Sequence, residues 1–177
     1  HLTSIPGAQP VTVVDLGGGW FSRSAKEIAT KYGSKVDVTN VEVVLHEDTT
    51  DTDNFHAKLG DICELEAPDA SVDLAYCYQL MSQMMENRQS QLLREVARVL
   101  KPGGVAFLDE NYYCHLDEDS QELLDLGSSM GVTFSLREGI IMKKRPDQPA
   151  GSSTNMFLLM TKNEVDLEAL PVEERAN

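Results

Sequence analysis

The sequence predicts one α/β domain with a doubly wound, largely parallel sheet. Apolar runs of strand length alternate with amphipathic helical patterns along most of the 177 residues, and this alternation is typical of consecutive βαβ units. Three consecutive glycines follow the first strand pattern, at the position where such sheets bind nucleotides. The last two strand patterns have no helical pattern between them, so we expect them to pair as an antiparallel hairpin.

The first half of the chain contains four strand patterns and one helical pattern. The strands are predicted at 11–14, from 36 to a limit near 40, at 57–59 and at 72–78, and the helix at 24–32. Ser24 and Glu27 have capping-box spacing at the start of this helix, and Gly33 is suited to end it. The stretch 41–55 is ambiguous, because Val41 and its neighbours fit either a longer second strand or a short helix before a polar loop.

The second half of the chain contains two helical patterns and three strand patterns. A helix is predicted at 87–100, a strand at 105–108, a helix at 119–130 and the two hairpin strands at 132–144 and 155–161. The first of these helices ends before Pro102 and Gly103, which both interrupt helical structure. No linker divides the chain, so we expect a single domain with a core at about 11–162 and an acidic tail at 163–177.

Composition narrows the class of partner. The net charge of −14 repels polyanions, so we expect a small-molecule substrate rather than a nucleic acid. No apolar run approaches the ~20 residues of a membrane span, and no signal segment is recognisable. The three cysteines are scattered, which fits a reducing compartment, and the acidic loop 46–56 lacks a metal-ligand spacing. We therefore expect a soluble, cytoplasmic protein without a metal.

The glycine turn is the most informative segment. Gly17, Gly18 and Gly19 allow a tight turn and a close approach of a ligand to the backbone. Asp37 lies twenty residues after Gly17, where an acidic side chain at the end of the second strand accepts hydrogen bonds from ribose hydroxyls. Ser22 replaces the third glycine of the dinucleotide fingerprint, which counts against NAD. A tight turn without any ligand remains an alternative.

Five motifs in order carry a family resemblance. They are the turn Val13–Gly19, the acidic Asp37, the step Gly60-Asp61-Ile62, the fourth-strand pattern Val72–Ala75, and the helix-to-strand stretch Leu93–Gly104. With this set, from about Val11 to Thr161, the sequence resembles the class I S-adenosylmethionine-dependent methyltransferases. The resemblance implies a Rossmann-like sheet of seven strands in which the last strand is antiparallel.

The resemblance also implies a cofactor, S-adenosylmethionine, and its product, S-adenosylhomocysteine. It assigns the methionine and ribose part of the cofactor to Asp15 and the glycine turn. It assigns the ribose hydroxyls to Asp37, the adenine to Asp61 and Ile62, and the methionine amino group to the backbone at Tyr78 and Gln79.

Two departures from the family pattern leave alternatives open. Phe21 stands where the family has a further glycine, and Trp20 precedes it. Their rings either pack against the domain or cover the cofactor, and a bulky ring is able to block cofactor binding. The given sequence has only ten residues before the first strand, where the family has one or two helices. We therefore expect an open site, a site capped by another subunit, or an incomplete chain. An inactive methyltransferase-like binding or scaffold protein is therefore a second hypothesis, and an NAD-binding oxidoreductase a third.

The leading hypothesis is methyl transfer to a small-molecule acceptor. Acceptor-facing positions in this fold follow the fourth and fifth strands. His115 is the candidate general base, because an imidazole titrates near neutral pH, and Tyr112 and Tyr113 are candidates to orient the acceptor. A surface histidine and packing tyrosines explain the same residues. Met81, Met84 and Met85 fit an apolar pocket or ordinary packing equally well.

Overall fold

A computed structural model describes residues 9–78, 80–109, 121–139 and 155–164. Within these ranges the chain forms one sheet with helices on both faces. The strands are β1 Val11–Leu16, β2 Val36–Glu42, β3 Phe55–Leu59, β4 Val72–Cys77, β5 Leu100–Asp109, β6 Val132–Gly139 and β7 Asn155–Lys162. The helices are α1 Arg23–Tyr32, α2 Glu86–Val99 and α3 Gln121–Met130, with short 3-10 turns at Gly33–Lys35 and Met81–Gln83. No helix of the described residues is long and apolar enough to cross a membrane.

The sheet has the strand order β3-β2-β1-β4-β5-β7-β6. Strands β1 to β5 run parallel, and β7 pairs antiparallel with both β5 and β6. This seven-stranded Rossmann-like arrangement confirms the predicted fold class and the C-terminal hairpin. The chain order reverses between β1 and β4, and ligands of doubly wound sheets bind outside the carboxyl ends of the strands at such a point.

Successive side chains of β1 point to opposite faces of the sheet and pack into the hydrophobic cluster on each face. Val13 packs with Ala25 and Ala29 of α1, whereas Val14 and Leu16 belong to the larger cluster under α2 and α3. All five side chains are buried. Burial of a side chain such as Leu16 contributes roughly 1.5–3 kcal/mol. The hydrophobic clusters on the two faces of the sheet therefore fix β1 and the glycine turn that follows it.

The start of α1 differs from the prediction. The helix begins at Arg23, and Ser22 precedes it with a φ of 50°, so Ser24 lies inside the first turn. The capping box of Ser24 and Glu27 is therefore wrong. The Ser22 hydroxyl does not cap the helix either, because it accepts a 2.6 Å hydrogen bond from Asn40 Nδ2.

Three strand boundaries also differ from the sequence pattern. β2 continues to Glu42, so the ambiguous stretch begins as strand and becomes a loop without a helix between Val43 and Asn54. β3 begins two residues earlier than predicted, at Phe55. β5 begins at Leu100, because Leu100 already pairs with Val72 of β4; residues 101–104 form an irregularity before pairing resumes between Val105 and Leu74.

Candidate cofactor site

The glycine turn is held from below by the end of β2. Gly17 N donates to Val41 O at 3.0 Å, and Gly18 N donates to Asn40 Oδ1 at 3.1 Å. Gly19 N donates to Glu42 Oε1 at 2.7 Å. Every amide of the triplet thus has a partner on the neighbouring strand. These bonds fix the path of the turn across the carboxyl ends of β1 and β2.

The three positions of the turn require glycine for different physical reasons. A Cβ atom at Gly17 would lie 2.2 Å from Leu80 Cδ2, and one at Gly18 would lie 2.1 Å from Asp15 Oδ2. At Gly18 the buried side chains of Asp15 and Asn40 leave no room for a side chain, and at Gly17 a φ of 75° disfavours one in addition to the contact with Leu80. A Cβ at Gly19 would meet nothing within 4 Å, although its φ of 81° strongly favours glycine. The space beside Gly19 is thus open, whereas Gly17 is the glycine of the turn that borders the cavity described below.

Asp15 is buried directly beneath this turn. Neither of its carboxyl oxygens makes a well-formed hydrogen bond within the described residues. Burial raises the pKa of Asp15 to about 7, with the Glu42 charge raising it further and the neighbouring Tyr76 hydroxyl lowering it. Burial and the Asp15 charge raise the pKa of Tyr76, which therefore remains a neutral donor. Asp15 therefore lies beside the Tyr76 hydroxyl under the turn and does not itself line the cavity described below.

The acidic residue at the end of β2 is Glu42, and the prediction that Asp37 ends this strand is wrong. Asp37 is the second residue of β2 and pairs with Thr12. It therefore lies at the amino-terminal edge of the sheet, where its Oδ1 is 3.1 Å from His56 Nε2. Glu42 is the last residue of the strand and lies beside Gly19. The sequence pattern allowed a second strand that continues through Val41, and a strand of that length ends next to Glu42.

A cavity of about 290 Å³ opens at this carboxyl edge. It is lined by the glycine turn, the end of β2, the loop after β3, the 3-10 turn and the start of α2. The lining residues are Gly17, Glu42, Val43, Asp61, Ile62, Leu80, Gln83, Met84, Met85 and Arg88. The lining is mostly apolar and carries carboxylates at Glu42 and Asp61. Small-molecule sites commonly combine an apolar wall with a few convergent polar groups in this way.

Asp61 is fixed at its side of the cavity. One guanidinium nitrogen of Arg88 donates to both Asp61 oxygens at 2.7 Å, and Cys63 N donates to Asp61 Oδ1 at 2.9 Å. The bonds from Arg88 and Cys63 lower the pKa of Asp61. The next residue, Ile62, is buried and joins the core under α2. The predicted adenine residues Asp61 and Ile62 thus lie in the same cavity as the glycine turn.

Comparison with known proteins decides the family. Residues 14–108, more than half of the chain, match the family model described as a methyltransferase domain. The chain belongs to this methyltransferase family. The cofactor of the family is S-adenosylmethionine, as the sequence resemblance implied.

The relatives of this methyltransferase domain are distant. Phosphoethanolamine N-methyltransferase 1 of Triticum aestivum is 25% identical over 126 residues, which cover 68% of this chain and 25% of that protein. The chain therefore spans about a quarter of the length of that curated relative.

Solved structures share the fold of the domain. A methyltransferase of Methanosarcina mazei has a TM-score of 0.60 at 18% identity, with 89% of this chain and 94% of that chain covered. A Burkholderia thailandensis 1,6-didemethyltoxoflavin-N1-methyltransferase, with S-adenosylhomocysteine bound, has a TM-score of 0.57 at 14% identity, with 88% and 72% covered.

The aromatic residues of the turn do not fill the methyltransferase cavity. The Phe21 ring stacks on His46 with centroids 4.6 Å apart, and Arg23 lies over its face. Trp20 is 60% exposed, and its carbonyl accepts hydrogen bonds from the loop after β2, from His46 N and Thr49 Oγ1. Neither ring lines the cavity. The steric reason for expecting a blocked cofactor site is therefore absent.

The remaining sequence-based candidates are divided between the described and undescribed parts of the domain. Met84 and Met85 line the cavity, whereas Met81 is buried in the core. Tyr78 directly follows β4. The other candidates lie outside the described residues, and these are Gln79, Tyr112, Tyr113 and His115.

Proposed function

We propose that this domain transfers the methyl group of S-adenosylmethionine to a small-molecule acceptor. The observation that carries the proposal is the convergence of the glycine turn, at Gly17, with the Glu42 and Asp61 carboxylates around one cavity. S-adenosylmethionine would supply an electrophilic methyl carbon, which an in-line nucleophile attacks while the carbon–sulfur bond breaks and S-adenosylhomocysteine leaves with the bonding pair. The protein contributes mainly alignment of the reacting atoms.

The cavity residues suggest how the domain would hold the cofactor. Glu42 would accept hydrogen bonds from the ribose hydroxyls in place of the predicted Asp37. Val43 and Ile62 would pack on the adenine faces, and Asp61 would accept from the adenine amino group. The glycine turn would pass beneath the methionine part. The presence of Glu42, Asp61 and Ile62 around one cavity that the glycine turn borders supports this arrangement.

The net charge of the chain and the acceptors of similar proteins support a small-molecule acceptor. The net charge of −14 disfavours a polyanionic acceptor such as nucleic acid. Two of the three similar proteins reported above are named for small-molecule acceptors, phosphoethanolamine and a didemethyltoxoflavin. His115, Tyr112 and Tyr113 remain predicted acceptor-side residues. A base is required only for an acceptor whose nucleophilic atom carries a proton at neutral pH. We also propose a cytoplasmic location, because the scattered cysteines fit a reducing compartment.

Calorimetric titration of the native chain with S-adenosylmethionine and S-adenosylhomocysteine tests the cofactor assignment. We expect saturable binding of both ligands with one site per chain. Binding of neither would overturn the proposed function. Incubation with labelled cofactor and a panel of small amines, phenols and thiols then tests turnover. Tight binding without methyl transfer to any acceptor in a broad panel would favour the inactive scaffold protein instead.

A further inference from the structure

Arg88 connects the first turn of α2 to the far side of the cofactor cavity. Its side chain makes the two 2.7 Å contacts with Asp61 described above. Its other terminal nitrogen donates to Gln91 Oε1 at 3.0 Å. The Arg88 carbonyl also accepts a hydrogen bond from Cys63 Sγ at 3.5 Å. Arg88 thus ties the loop after β3 to α2 through two residues of that loop, Asp61 and Cys63.

These bonds leave a defined acceptor site on Asp61. Oδ1 accepts from both Cys63 N and Arg88, so its two lone pairs are engaged. Oδ2 accepts only from Arg88 among the described residues, and a carboxylate oxygen has two lone pairs. One lone pair of Oδ2 therefore remains for a donor. Asp61 is about 40% exposed and lines the cavity, so a ligand is able to supply that donor.

We propose that Arg88 is a positioning residue that holds Asp61 as a fixed acceptor for the exocyclic amine of a 6-aminopurine. The domain would thereby discriminate adenine from hypoxanthine in the bound nucleoside. This inference rests on the proposed function, because it presumes that the cavity binds the nucleoside of S-adenosylmethionine.

The chemistry of the two purines explains the discrimination. The 6-amino group donates a hydrogen bond, whereas the 6-oxo group of hypoxanthine only accepts and is repelled by a carboxylate. A carboxylate locked by Arg88 cannot rotate away, and it cannot become the donor that a 6-oxo group requires. Without Arg88, Asp61 keeps only the bond from Cys63 N to Oδ1, so its Oδ2 is less firmly held and the carboxyl takes up a proton more readily. The distinction between the two bases should therefore decline.

The experiment compares S-adenosylhomocysteine with S-inosylhomocysteine by calorimetric titration. The native chain should prefer the adenosine compound by on the order of tenfold or more, as expected for a hydrogen bond to a charged acceptor. Arg88→Met should reduce this ratio to within about threefold, chiefly by weakening binding of the adenosine compound. Arg94→Met is the matched control, because Arg94 is an exposed arginine on the same helix and does not line the cavity. It should leave the ratio unchanged.

A double-mutant cycle separates positioning from a general structural effect. Asp61→Asn should itself remove the preference, because an amide both donates and accepts. In that background Arg88→Met should change the ratio no further. Thermal unfolding midpoints accompany each titration to verify that the variants are folded.

Two results would overturn the inference, and they are distinguishable from failure of the proposed function. A native preference that survives Arg88→Met would remove Arg88 from purine recognition while S-adenosylhomocysteine binding remains intact. A native chain that binds both compounds equally would show that Asp61 does not recognise the amine. Absence of any binding to the native chain would instead overturn the proposed function, and the inference with it.

Discussion

The carboxyl group of Asp15 shows how closely the site and the fold are connected at the level of single residues. Its burial under Gly18 leaves it without a well-formed hydrogen bond, and its pKa rises from 3.8 to about 7. A folded-state pKa above the unfolded value means that the folded protein holds this proton more tightly. Ionisation of Asp15 therefore costs stability as pH rises from about 4 to about 7.

Asp15→Asn should relieve this cost in the free protein. The variant should be more stable than the native chain at pH 8, by up to roughly 4 kcal/mol, because three pKa units correspond to about that energy. The difference should shrink steadily below pH 7 and vanish near pH 4, where the unfolded carboxyl is also protonated. Urea unfolding at a series of pH values measures the difference. An advantage that is the same at pH 4 and pH 8 would show that the pKa of Asp15 is not raised.

Gly19 offers a test of backbone access. Gly19→Ala places a side chain where nothing lies within 4 Å, at a φ of 81°. The strain should cost about 1–2 kcal/mol of unfolding free energy, and the new methyl group should weaken S-adenosylhomocysteine binding at least tenfold. Gly131→Ala is the control, because Gly131 also has a positive φ of 63° but lies after α3, away from the cavity. Equal loss of ligand affinity in both variants would show that Gly19 has no special role in binding.

At the level of elements, the 3-10 turn Met81–Gln83 is fixed by one buried side chain. Gln89 Nε2 of α2 donates to Met81 O at 2.9 Å and to Met84 O at 3.1 Å. The same turn is preceded by Leu80, whose side chain packs over Gly17. The cavity wall opposite the glycine turn therefore depends on Gln89.

Gln89→Met keeps the shape of this side chain and removes its donor. We expect a loss of about 1–3 kcal/mol in unfolding free energy, because buried carbonyls lose a partner, together with weaker S-adenosylhomocysteine binding. Denaturant unfolding and titration measure the two effects. An unchanged ligand affinity in a folded variant would show that the turn does not depend on this contact for its shape.

The boundaries of β2 explain why the sequence indicated the wrong carboxylate. Spacing from Gly17 selected Asp37, whereas pairing of Thr12 with Asp37 places that residue at the opposite edge of the sheet. The valines from Val36 to Val41 fit a strand of either length, and only pairing with β1 and β3 extends it to Glu42. The local sequence pattern does not show where β2 ends, since the end of a strand depends on the strands that pair with it.

The capping prediction failed for a similar reason. Ser24 and Glu27 have the right spacing, yet α1 begins one residue earlier. Ser22 is held in a left-handed conformation and its hydroxyl bonds to Asn40 of β2. A hydrogen bond between distant segments thus outweighed a local capping motif, which a single sequence segment cannot reveal.

At the scale of the whole molecule, the sequence was sufficient for the architecture. Alternating strand and helix patterns, with a helix-free pair at the end, correspond to five parallel strands and an antiparallel hairpin. Parallel connection brings the carboxyl ends of β1, β2, β3 and β4 to one edge. Gly17, Glu42, Asp61 and Leu80 come from four separate segments and meet there. Their identity could be proposed from motifs, but their mutual contacts, such as Arg88 with Asp61, required the structure.

The central claim is that the end of β2, and not its beginning, holds the ribose of the cofactor. Titration of S-adenosylhomocysteine into Glu42→Gln and Asp37→Asn tests it directly, because both changes replace a carboxylate of β2 by its amide. Glu42→Gln should weaken binding roughly 10- to 100-fold, as expected for lost hydrogen bonds to a charged group. Asp37→Asn should stay within about threefold of the native chain. A large loss in Asp37→Asn, with native affinity in Glu42→Gln, would contradict the account.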